Sequence, residues 1–181
     1  MTKITINKDL SGLENLIGLD KIIIRQIKAK EVDILDNMLY EAIYLPEGHE
    51  PFPRNITQKP EINVYIERFG SKKDDYCLVA DLKGQIIGAV WVRILDGIIK
   101  GFGNVDGSTP EFAISVLKKF RNKGIGTLLM QEMIKYLKEQ EYTQASLSVQ
   151  KENYAVKMYQ KLGFKIIREN EEDYLMILKL K

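Results

Sequence analysis

The segment from Glu111 to Leu137 constrains the chain more than any other, because it reads as strand, tight turn and helix in direct succession. Glu111-Phe112-Ala113-Ile114-Ser115-Val116 has the β-branched and aromatic make-up of a strand. Ile125, Leu128, Leu129, Met133, Tyr136 and Leu137 then recur with the period of a helix that buries one face. Between them lies a glycine-containing turn, so the helix is expected to fold back onto the sheet that holds the strand.

The remaining segments supply that sheet and its helices. Residues 1–20 show no clear period and are expected to form an N-terminal extension, with the working domain spanning residues 21–181. The run from Ile22 to Ile27 suits a strand. Leu35, Met38, Leu39 and Ala42 predict a helix within residues 30–44. Pro60, the stripe Ile62, Tyr65, Ile66 and Phe69, and then Gly70 predict a second helix over residues 60–70. The prolines between the two, in residues 44–54, predict an irregular loop of the kind that carries specificity.

Two strand-like runs, Asp75 to Leu82 and Ile86 to Leu95, flank Lys83-Gly84-Gln85 and predict an antiparallel hairpin with Gly84 at positive φ. Four glycines break up residues 96–110, although Ile98 and Ile99 would suit a short strand. Ala145 to Val149 predicts a further strand and Asn153 to Leu162 a helix stopped by Gly163. Phe164 to Arg168 and Tyr174 to Leu180 predict two closing strands. The expectation is an α/β (α+β) domain with a mixed, mostly antiparallel sheet of six to seven strands flanked by about four helices.

Composition narrows the function classes. At 181 residues the chain is long enough for one core without staples. A formal charge of +2, from 27 basic and 25 acidic residues, lacks the basic excess of a nucleic-acid binder. A single cysteine, Cys77, and a single histidine, His49, allow neither an intrachain disulfide nor an ordinary zinc site. No long apolar run is present, so a cytoplasmic protein without membrane or metal is expected.

The turn itself reads Arg121-Asn122-Lys123-Gly124-Ile125-Gly126-Thr127. Backbone N–H groups at the start of a helix suit a phosphate, yet the same glycine spacing also suits a plain βα turn. The motif is neither a Walker loop, because Thr127 follows Gly126, nor a Rossmann fingerprint, because Leu129 stands where a small residue is needed.

Arg-x-x-Gly-x-Gly is the signature of the GNAT acetyltransferases, and the chain from about Ile22 to Leu180 resembles that family. A second motif follows in order: Asn153, Ala155, Tyr159 and Gly163-Phe164. The resemblance implies that acetyl-CoA is the donor, with its pyrophosphate on the amides of Arg121 to Thr127. It also implies that the coenzyme A arm pairs like an added strand with Ile114, Ser115, Val116 and Leu117, where the fourth and fifth strands splay. Asn153 would lie beside the pantetheine arm and Tyr159 near the thioester sulfur, although Tyr159 also completes an apolar helical stripe. Dimers are common in the family, which leaves monomer and homodimer open.

Direct transfer to a primary amine needs a proton acceptor, a donor for the developing oxyanion and a proton for the departing thiolate, but no covalent protein nucleophile. Glu111 is the favoured base, with Asp106, Glu41, Glu47, Glu50 or water as competitors. The acceptor, whether polyamine, aminoglycoside, amino acid or protein N-terminus, is not specified. A non-catalytic acetyl-CoA sensor or scaffold is the alternative reading.

Overall fold

The computed structural model describes residues 22–181. The expected extension over residues 1–20 and the domain start at Lys21 lie outside the described residues. Seven strands form one sheet: β1 (Ile22–Gln26), β2 (Tyr76–Leu82), β3 (Gln85–Arg93), β4 (Glu111–Val116), β5 (Gln144–Gln150), β6 (Lys165–Glu169) and β7 (Asp173–Lys179). Their order is β1-β2-β3-β4-β5-β7-β6, and every pairing is antiparallel except β4 against β5. Four α-helices complete the expected mixed architecture: α1 (Ile34–Ala42), α2 (Pro60–Asn63), α3 (Ile125–Glu139) and α4 (Ala155–Lys161). Lys83 and Gly84, at φ 54° and 88°, turn the β2–β3 hairpin.

Strand alternation sorts the apolar side chains into two cores. Val90, Val92, Phe112 and Val116 pack with Leu129, Met130, Met133 and Leu137 of α3. Ala89 and Trp91 pack on the other face with Leu35, Met38 and Leu39 of α1. β3 is therefore buried on both faces, which is why it reads as an unbroken apolar run. Those four α3 side chains are fully enclosed, so truncating Met133 to Ala would cost about 2–5 kcal/mol.

Two sequence expectations need correction. The helix predicted over residues 60–70 is one α-helical turn, α2, continued by turns to Gly70. Buried side chains of β3 take the carbonyls that a continuous helix would use. Arg93 Nη1 donates to Val64 O and Glu67 O at 2.8 and 3.1 Å, and Trp91 Nε1 donates to Tyr65 O at 3.1 Å. The short strand suited to Ile98 and Ile99 does not form, because both are exposed in a bend and pair with no sheet edge.

Candidate active site

The site begins where β4 and β5 separate. They share one bridge, Glu111 to Ser146, with Ser146 N–H donating to Pro110 O at 2.9 Å. On the other side, Leu117 N–H donates to Ile87 O at 2.9 Å. Hydrogen-bonded pairs alternate along antiparallel strands, so the polar backbone of Ser115 and Leu117 faces β3. That of Ile114 and Val116 faces the opening beside β5. Of the four residues expected to meet the coenzyme A arm, these two present backbone polar groups to the opening.

Beyond β4 the chain turns through Asn122 and Gly124, at φ 60° and 78°, into α3. Such left-handed turns make concavities lined by N–H groups, and glycine enters them without strain. No side chain caps α3, so the amides of Ile125, Gly126 and Thr127 are left for an anion. A Cβ placed on Gly126 would come no closer than 3.7 Å to Met158 Sδ. Glycine at this position therefore keeps the cleft side clear and is not demanded by packing.

Arg121 also lines the cleft, but its polar groups are engaged within the protein. Its amide donates to Lys118 O at 3.3 Å, its Nε to Val116 O at 2.8 Å, and its Nη2 to the carbonyl and carboxylate of Glu41. The guanidinium thus ties the end of β4 to α1. Lys123 lies outside the cleft lining, with Nζ 5.8 Å from the Phe120 ring.

From this turn a cleft of about 830 Å³ runs between β4 and β5 to Glu111, with Asn153 and Tyr159 on its wall. Asn153 Oδ1 accepts from Ala155 N–H at 2.9 Å and so starts α4. Tyr159 is buried, with its ring edge-on to Phe164 at 5.8 Å. Burial first, then the neighbouring Tyr154, holds its phenol well above the ordinary value, so it is protonated.

Glu111 is 2% exposed. Its Oε1 accepts from the Tyr65 hydroxyl and, at 2.7 Å, from Gly103 N–H, while Oε2 is buried without a partner among the described residues. Burial pushes this carboxyl up to about 7, against the opposing pull of those two hydrogen bonds. The competing acids are placed differently. Glu41 is paired with Arg121, and Asp106 is held below the ordinary carboxylate range by the amide and hydroxyl of Ser108. Glu47 lines the cleft. Cys77 is buried in β2 with its thiol pushed up by burial, unsuited to act as a nucleophile.

Sequence reasoning did not single out Tyr65, Gly101 and Gly103. A Cβ on Gly101 would fall 2.0 Å from Glu111 Oε2, and one on Gly103 would fall 2.8 Å from Oε1 and from Ser148 N. The only local signal was the unusual glycine density of residues 96–110, which marks a close approach without saying to what.

The acetyltransferase (GNAT) family model matches residues 39–164. An N-alpha-acetyltransferase of Sulfolobus acidocaldarius is 32% identical over 113 residues, covering 56% of this chain and 67% of that one. An uncharacterized N-acetyltransferase of Archaeoglobus fulgidus is 26% identical over 139 residues, covering 74% and 88%. In fold, the chain superposes on the PaiA N-acetyltransferase of Thermoplasma acidophilum, solved with coenzyme A, with a TM-score of 0.63 at 22% identity, covering 87% of this chain and 98% of that one. The splayed strands, the uncapped start of α3 and the matched family model lead to one conclusion: the chain belongs to the GNAT acetyltransferase family and is an acetyl-CoA-dependent N-acetyltransferase.

Proposed function

We propose that the protein transfers acetyl by direct attack of an α-amine, with Glu111 taking the amine proton and Tyr159 supplying one to the leaving thiol. The observation that carries this reading is the Glu111 carboxyl in the cleft, enclosed and with one oxygen unpartnered. Acetyl-CoA supplies the activated acyl group. The amides of Ile125 to Thr127 would hold its pyrophosphate, and the open backbone of Ile114 with the N–H of Val116 would pair with its arm.

Proton affinity favours an α-amine over a lysine side chain. Taking a proton from an α-ammonium near 8 to a carboxylate at about 7 costs about 1.4 kcal/mol, whereas a lysine ammonium near 10.4 costs about 4.6 kcal/mol. The curated relatives in Sulfolobus acidocaldarius and Sulfurisphaera tokodaii carry the name N-alpha-acetyltransferase, which supports the same acceptor class.

The test is a panel of peptides with free or blocked α-amines, some containing lysine, read by release of coenzyme A thiol. Turnover of the free α-amine and its loss on blocking are expected. Preferential acetylation of lysine in blocked peptides would overturn the assignment.

A further inference from the structure

The Tyr65 hydroxyl does more than packing requires. The ring, 8% exposed, belongs to the α1-side core and lies 6.3 Å from the Phe102 ring at an interplanar angle of 15°. Phenylalanine would fill that space equally well. The oxygen nevertheless sits between two polar partners, accepting from Phe102 N–H at 2.7 Å and donating to Glu111 Oε1. Its backbone is clamped from β3 through the Trp91 indole, so the hydroxyl is carried by the sheet, independently of the loop at 44–54.

The two oxygens of Glu111 are consequently inequivalent. Oε1 is held by Tyr65 and Gly103, whereas Oε2 lies under Gly101 and Leu95 with no donor. We propose that Tyr65 is a positioning residue for acetyl transfer, fixing the Glu111 carboxyl through Oε1 so that the carboxyl takes up the acceptor proton from the cleft. In that step an N–H bond of the acceptor ammonium breaks, an O–H bond forms on the Glu111 carboxylate, and the freed lone pair is left for attack. The proposal rests on Glu111 being the base.

Among the described residues, no other charge facing Glu111 competes for this role. Across β3, Arg93 is committed to Asp75 and to backbone carbonyls, and from α1, Glu41 is committed to Arg121. On the loop, Asp106 turns to Ser108, Asp96 approaches Gly107, and Lys100 is exposed. β5 presents the uncharged Ser146 and Ser148, and α4 the protonated Tyr159. A hydrogen bond donated to a carboxylate favours its ionised form, so Tyr65 makes Glu111 a base at lower pH than burial alone would allow.

The experiment compares pH profiles of kcat/KM for wild type, Tyr65→Phe and Glu111→Gln on one α-amine peptide. Tyr65→Phe is expected to move the acidic limb upward by about one pH unit or more, since hydrogen bonds to charged groups are the strong ones. Its KM for acetyl-CoA should stay unchanged, and much of kcat should return above the limb. Glu111→Gln should abolish the limb.

An unmoved limb in Tyr65→Phe, with the limb absent in Glu111→Gln, overturns the role of Tyr65 and leaves the base intact. A loss equal at every pH also overturns it, by making Tyr65 a packing residue. A limb that survives in Glu111→Gln removes the base and this proposal together. Should Tyr65→Phe fail to fold, 3-fluorotyrosine at position 65 keeps the shape with a stronger donor. The limb must then move downward, and an unmoved limb overturns the proposal.

Discussion

Glu111 and Arg93 stand directly opposite each other on β4 and β3, both buried, yet they do not pair. Arg93 is drawn away by Asp75, at 3.0 and 3.1 Å, and by the carbonyls of Val64 and Glu67. A carboxylate beside an unengaged guanidinium would be acidic and a poor base. Removing one partner of a buried pair costs about 3–5 kcal/mol, so Asp75→Asn should lose stability on that order, measured by urea unfolding.

Glu111 is expected to destabilise the fold as it ionises. Its folded-state pKa of about 7 lies above the ordinary 4.5, so its favourable contribution is complete below 4.5 and fades as pH rises toward 7. Glu111→Gln removes this dependence. The variant should gain on wild type across that window by on the order of 3 kcal/mol, and parallel stability curves would exclude a raised pKa.

Gly126→Val should weaken coenzyme A binding by about tenfold or more while leaving the melting temperature nearly unchanged. The space around a Cβ there is ordinary, with its nearest neighbour at 3.7 Å, so the branched side chain intrudes on the cleft more than on the core. Calorimetry with coenzyme A decides this, and undiminished affinity would detach the turn before α3 from the pyrophosphate.

Tyr159→Phe keeps the ring that packs on Phe164 and removes the phenol proton. Turnover should fall about tenfold at unchanged melting temperature, and acyl donors with more acidic thiols should recover part of the loss. An equal deficit with every donor would leave Tyr159 as a packing residue.

The strands and the two long amphipathic helices were legible in the sequence because their signals are local: β-branched runs, helical stripes and Gly163 after α4. The interruption of α2 was not, because the groups that claim its carbonyls, Trp91 and Arg93, lie more than twenty residues away. The same holds within the cleft. The turn before α3 announces itself in seven consecutive residues, whereas Tyr65 meets Glu111 across 46 positions and reads locally as one apolar residue in a stripe. Glu111 was recognisable as an acid at a strand start, but its enclosure depends on Gly101 and Gly103 leaving room for it.

The single bridge between β4 and β5 divides the sheet into two leaves, each made from one continuous stretch of chain. β1 to β4 come from residues 22–116 and carry α3, while β5 to β7 come from residues 144–179 and carry α4. Within each leaf the pairing is antiparallel and much of it joins neighbours in sequence, so the first leaf can assemble as it leaves the ribosome, before the second has been made. The seam joins partners that are brought together only when both leaves exist. A ligand bound in that seam would act as mortar between them, and in hydrogen exchange it should protect the amides of Ile114, Val116 and Ser148 well beyond those at the centre of β3.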